Sequence, residues 1–165
     1  MTDTESPAKP TAPYDRIGGW LFFVAIGVIG SPIRFLISLI RDILPAFSGG
    51  VWPKLTTPGG ELYHPLWAPL LVSELVLNVI FIALSIFIAI LFFQKRKRFK
   101  PLMLGFLLSN LLLVVADYVI AGQIPAVASQ RDPESLKEVF RTLVGCAVWV
   151  PYLLSSKRVK GTFVR

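Results

Sequence analysis

The sequence predicts an all-α polytopic membrane protein, a bundle of four transmembrane helices. Three observations predict it. Hydrophobic residues make up 54% of the 165 residues and charged residues only 16%. With a mean hydropathy of +0.65, a soluble core of this size would leave much of that apolar surface in water. Four apolar stretches, at about 18–44, 66–93, 101–121 and 139–156, come near the roughly 20 residues that cross a hydrocarbon core of about 30 Å. Lysine and arginine gather beside these stretches, which is how topology is written into membrane chains.

The elements follow in order. Residues 1–16 are polar and carry Pro7, Pro10 and Pro13, so they read as a disordered cytoplasmic tail. The transmembrane domain covers 17–156. Its first span exceeds the 7–15-residue apolar region of a signal peptide and lacks a small-residue cleavage site, so it is read as retained. Pro32 lies inside this span and Pro151 inside the fourth, each a place for a kink. Between the first two spans, residues 45–65 carry Gly49-Gly50, Pro53 and Pro58-Gly59-Gly60, which suggests a small hairpin turning at 58–60. A short basic stretch joins the second and third spans. The fourth helix has two readings of its start. Asp132 can cap it with Pro133 in the first helical position, or Ser135 and Glu138 can form a capping box. Either begins the helix outside the membrane. Residues 157–165 read as a basic cytoplasmic tail.

Charge sets the expected orientation. Lys9 and Arg16, then Lys95, Arg96, Lys97, Arg98 and Lys100, then Lys157, Arg158, Lys160 and Arg165 place 11 cations on one side. Arg41, Lys54, Arg131 and Lys137 place 4 on the other. The positive-inside rule then puts both termini and the 95–100 loop in the cytoplasm. Trp52, Tyr63 and Trp67 fall at the opposite interface. The net charge of +7 is accounted for by topology and by attraction of anionic lipid at the cytoplasmic face, which leaves no reason to invoke nucleic acid.

Helical spacing turns the remaining polar residues into faces. Gly27, Ser31, Arg34, Ser38 and Arg41 recur at steps of 4, 3, 4 and 3 in the first span, one seam of small or polar residues. Such seams let helix backbones approach closely in lipid. Glu74, Asn78 and Ser85 share a face in the second span, Asn110 and Asp117 in the third. Arg141, Gly145, Val148, Tyr152 and Ser155 share one in the fourth. At a rise of ~1.5 Å per residue, Arg34, Glu74, Asp117 and Arg141 all reach about 22–28 Å from the cytoplasmic span ends. Charges within a membrane are expensive and face the bundle interior or water. The expectation is a layer in which each acid pairs with an arginine, with Ser31, Ser38, Asn78, Asn110 and Tyr152 supporting it. That layer serves either as a structural staple or as a site for a proton, an ion or a headgroup. Arg41 is expected to snorkel to the interface.

Other chemistry is scarce. Cys146 is the single cysteine, which forbids an intrachain disulfide and suits a small buried hydrophobe. His64 is the single histidine, three residues after Glu61, and the two do not make a metal site. No P-loop, nucleophile elbow, Rossmann glycine pattern or paired-histidine motif occurs. No catalytic constellation, metal or cofactor is therefore expected.

A family likeness rests on the two ends. Ile17-Gly18-Gly19-Trp20-Leu21 opens the first span, and Phe92-Phe93 precedes the basic loop with Phe99 and Pro101. Trp149-Val150-Pro151-Tyr152 runs into Ser155-Ser156-Lys157-Arg158-Val159-Lys160-Gly161-Thr162-Phe163. The chain resembles the bacterial membrane family catalogued as domain of unknown function 2569. The resemblance implies a four-helix protein of the bacterial inner membrane. It supplies no activity, cofactor or catalytic residue, and it suggests that the Ser-Lys-Arg-Val segment matters to the family. Two functions follow as expectations. The first is a non-enzymatic membrane subunit or assembly protein that binds a membrane partner or a second copy of itself. The alternative is a small permease or lipid-handling protein that uses the charge layer.

Overall fold

The computed structural model describes residues 19–60, 62–129 and 133–163. The tail at 1–16, the cap at Asp132 and Glu61 lie outside the described residues. Four long helices carry the fold: α1 (Trp20–Phe47), α3 (Trp67–Phe93), α4 (Phe99–Ala121) and α6 (Pro133–Ser155). Each is long and apolar enough to cross a membrane. Three short helices fill the connections: α2 (Val51–Thr56), α5 (Pro125–Ser129) and α7 (Lys157–Thr162). The helix after residue 132 begins at Pro133, six residues ahead of its apolar stretch, where proline's missing N–H has no ladder partner to lose.

Local chemistry explains the irregular points. Within α1, residues Leu39–Ile43 form a π segment, and Leu44 N–H donates to Leu39 O five residues back. Pro45 offers no N–H to the Arg41 carbonyl, so the ladder ahead of it is free to widen. Pro32 and Pro151 sit inside helices that continue through them. At the end of α3, Lys95 adopts φ +54. Its N–H donates to Phe92 O at 3.1 Å, and Arg96 N–H donates to Leu91 O at 3.0 Å. That is a Schellman ending with lysine where glycine is usual.

The hairpin expected at 45–65 does not form. The segment is helical over Leu44–Phe47 and Val51–Thr56, with Gly50 at φ +75 between them. Phe47 stacks on Trp52 with ring centroids 4.8 Å apart. The turn at 58–60 is present, with Gly59 at φ +89, but it joins α2 to α3. Period-2 alternation is weak here, so aromatic packing between the end of α1 and α2 prevails.

Helix α1 lies against α3, α3 against α4 and α4 against α6. The two ends of this row, α1 and α6, close the bundle only sparsely. The main cluster of buried residues lies toward one half. Leu21, Val24 and Val28 of α1 meet Ile88 and Phe92 of α3 and Leu153 of α6, all buried. The expected basic tail is part of this core. Ser156 caps α7 by accepting from Val159 N–H at 3.3 Å, and Val159, Thr162 and Phe163 are buried. Phe163 stacks on Phe99 at 4.3 Å and leans on Phe92 at 5.5 Å. Arg158 reaches the start of α1, where its Nη1 would lie 3.0 Å from a Cβ built on Gly19. The start of α1, the α3–α4 connection and α7 thus gather at one end of the bundle, the basic end.

Candidate binding cavity

At the opposite end the helices part around a cavity of about 610 Å³. Its floor is aromatic. Phe35, Phe81 and Phe106 contact one another with centroids 5.2–6.0 Å apart, and the first two face the cavity. Its walls are charged. Helix α1 contributes Arg34, Ser38 and Asp42; α3 contributes Glu74 and Asn78; α4 contributes Asn110 and Asp117; α6 contributes Glu138 and Arg141. The four intramembrane charges predicted from sequence therefore share one cavity.

Their pairing differs from the expectation. Arg34 Nη2 donates to Glu138 Oε1 at 3.4 Å, and both side chains are about half exposed. Glu74 and Asp117 face each other, near enough for a side-chain hydrogen bond. Arg141 lines the same cavity but forms no ion pair among the described residues. The reason is geometric. Helices α3 and α4 are direct neighbours, so their inward faces bring the two acids together, while each arginine lies on a helix at the edge of the row. Two acceptors in the wall, Asn78 Oδ1 and Asp117 Oδ1, are buried without a hydrogen-bond donor.

Two wall residues were missed in the sequence. Asp42 replaces Arg41 on the α1 seam because the π segment shifts the register after Ser38. Both residues are exposed, but only Asp42 lines the cavity. Glu138, a capping candidate by its sequence, lies three residues before Arg141, one helical step along the same face.

The supporting stripe divides. Ser38, Asn78 and Asn110 line the charged cavity. Ser31 lines a second cavity of about 330 Å³, set between α1 and α6 and backed by α4. Tyr152 stays in the packed half beside Trp149, with its hydroxyl buried and unpartnered. The seam of small residues does not bring backbones together. A Cβ on Gly27, Gly30 or Gly145 would meet nothing within 4 Å, and Gly27 and Gly30 line the second cavity instead. The basic residues Lys95, Arg96, Lys97, Arg98 and Lys100 lie at the far end of the bundle, where Arg96 Nε donates to Gln94 Oε1 at 3.3 Å.

The remaining candidates are structural. Cys146 is buried and donates through Sγ to Leu107 O at 3.3 Å. His64 Nδ1 accepts from Leu66 N–H at 3.3 Å. Among the described residues no group of three His, Cys, Asp or Glu side chains is placed to hold a metal ion.

Comparison with known proteins fits this architecture. A family model described as "Protein of unknown function (DUF2569)" matches residues 14–164. The chain belongs to this family. It is also similar to the inner membrane protein YdgK of Escherichia coli (strain K12), at 26% identity over 160 residues, covering 93% of this chain and 97% of that protein. No solved structure matches. The family match spans all four long helices and both end motifs, and the chain is a multi-pass inner membrane protein of the DUF2569 family.

Proposed function

We propose that this family member is a small permease or lipid-handling protein that takes a polar or amphiphilic molecule into the charged cavity. One observation carries the reading. Four acids and two arginines from four helices line one cavity of about 610 Å³, a volume typical of small-molecule sites. A purely structural staple would pair its charges and close around them, because unpaired charges within the membrane are costly. Here two acids face each other and Arg141 is unpaired among the described residues. A space bounded by unmatched groups suits a ligand that matches them.

The test is purification of the full chain in mild detergent, with mass spectrometry of everything it retains. A small molecule or lipid held by the native chain and lost by the Glu74→Gln/Asp117→Asn double variant, at unchanged melting temperature, is the expected result. A stoichiometric protein partner with no small ligand in either sample would replace this reading by that of a membrane subunit.

A further inference from the structure

The second cavity, between α1 and α6, has no role in the reading above. It shares three wall residues with the charged cavity: Arg34, Phe35 and Asn110. Beyond them its wall is almost wholly apolar, with Phe23, Val24, Leu107 and Leu153 among its residues. Along α1 it runs from Phe23 to Phe35, about 18 Å at ~1.5 Å per residue. That is close to the depth of one leaflet, half of a core of about 30 Å. Gly27 and Gly30 keep it open, since neither faces any neighbouring atom. The polar and apolar chambers therefore meet end to end beside the sparsely closed α1–α6 seam.

Resting on the proposed cavity ligand, we infer that this ligand is a membrane lipid. One acyl chain lies in the α1–α6 crevice, and a headgroup combining a primary ammonium with a phosphate lies in the charged cavity. Charge complementarity selects the headgroup. A primary ammonium offers three donors and no acceptor. It meets the facing carboxyls of Glu74 and Asp117 and the donorless Asp117 Oδ1 and Asn78 Oδ1. Arg141, unpaired among the described residues, supplies the fork that phosphate oxygens accept. The chambers follow one another along α1, the charged one from Arg34 to Ile43 and the apolar one from Phe35 back to Phe23, so a bound lipid has its head at the end away from the basic residues and its chain running through the middle toward the basic end. A small polar solute would leave the crevice unused.

Native mass spectrometry of the full chain, with lipid stripped in a non-ionic detergent, tests this. The probes are lysophosphatidylethanolamine, lysophosphatidylglycerol with the same acyl chain, and free phosphoethanolamine. The amine lipid is expected to bind at least about tenfold more tightly than either of the others, an advantage that about two buried methylenes give over the free headgroup. Gly30→Leu, which fills the crevice without a clash at Cβ, is expected to erase the advantage of the acyl chain. Its melting temperature reports whether the variant is folded, and Gly27→Leu serves as a second filler. Equal binding of the two lysolipids overturns the headgroup assignment. Equal binding of phosphoethanolamine and the amine lipid overturns the acyl site and leaves the proposed cavity ligand standing. Binding of none of the three overturns both. Should neither filler variant fold, the three affinities of the native chain decide.

Discussion

Glu74 and Asp117 show most plainly how single residues behave differently from their sequence context. Each lies at the height of an arginine, and equal height suggested ion pairs. Height fixes only one coordinate, however, and the order of helices around the bundle fixes the other. Because α3 and α4 are neighbours, the acids face each other. Glu74→Gln is therefore expected to leave thermal stability in detergent unchanged, since the amide still offers Asp117 a hydrogen-bond donor. A loss of about 3–5 kcal/mol, the cost of orphaning a buried partner, would restore the arginine pairing. The Arg34–Glu138 contact at 3.4 Å is half exposed, so Glu138→Gln should cost at most about 1 kcal/mol. Gly19 is a second informative position. With φ +61 and ψ −139 it occupies backbone space that is open essentially to glycine alone. Gly19→Ala should destabilise by about 1–3 kcal/mol, whereas Gly27→Ala, facing open space, should stay within about 0.5 kcal/mol. Thermal melts of the two variants side by side separate backbone strain from general intolerance of helix glycines.

At the scale of elements, the four spans were legible because each is a long apolar run, and length alone distinguishes such a run from a soluble helix. The long helices begin and end within six residues of those runs. Three features were not legible. The π segment depends on which carbonyls Pro45 leaves without donors, and periodicity averages over such a local event. The segment 45–65 has turn residues but little alternation, so the end of α1 and the short α2 left no clear signal. The C-terminal residues look like a basic tail because Lys157, Arg158 and Lys160 dominate their composition. Yet Val159, Thr162 and Phe163 face inward at helical spacing and are buried. The two end motifs that carry the family likeness meet here, through Arg158 beside Gly19 and Phe163 on Phe99. Their shared presence in the sequence thus has a physical cause, since each completes the packing of the other. Phe163→Ala removes a buried aromatic that touches two others and should cost about 3–5 kcal/mol. It should also release α7, so that trypsin cuts at Lys157, Arg158 or Lys160 under conditions where the native chain resists. Resistance equal to the native chain would mean that α7 is held without Phe163.

At the scale of the whole molecule, the fold reduces topology to one choice. Four spans return the chain to the side on which it began, and the structure gathers the start of α1, the α3–α4 connection and α7 at one end. The basic residues of all three segments therefore share a side, whichever side that is. The Lys/Arg distribution of 11 against 4 is large for loops this short, and the charged end of such loops is retained in the cytoplasm. The expected arrangement places the basic end inside and opens the charged cavity toward the outer half of the membrane. A reporter active only in the cytoplasm, fused after residue 165, should be active, and the same reporter inserted at 57–60 should be silent. A periplasm-dependent reporter should give the reverse. Identical results at the two sites would break the four-span count itself, since the sites flank an odd number of spans. A swapped result would keep the fold and invert it, placing the cavity in the inner half. Neutralising Lys95, Arg96, Lys97, Arg98 and Lys100 removes five of the 11 cations. Each contributes about 1 kcal/mol of attraction to an anionic surface. That variant should yield a mixture of orientations and weaker copurification of anionic lipid, while the melting temperature of correctly inserted protein holds. The packing at this end is made by Phe92, Phe99 and Phe163 and not by the charges, so a collapse in stability would show that the basic loop is a structural part of the bundle as well as its topological signal.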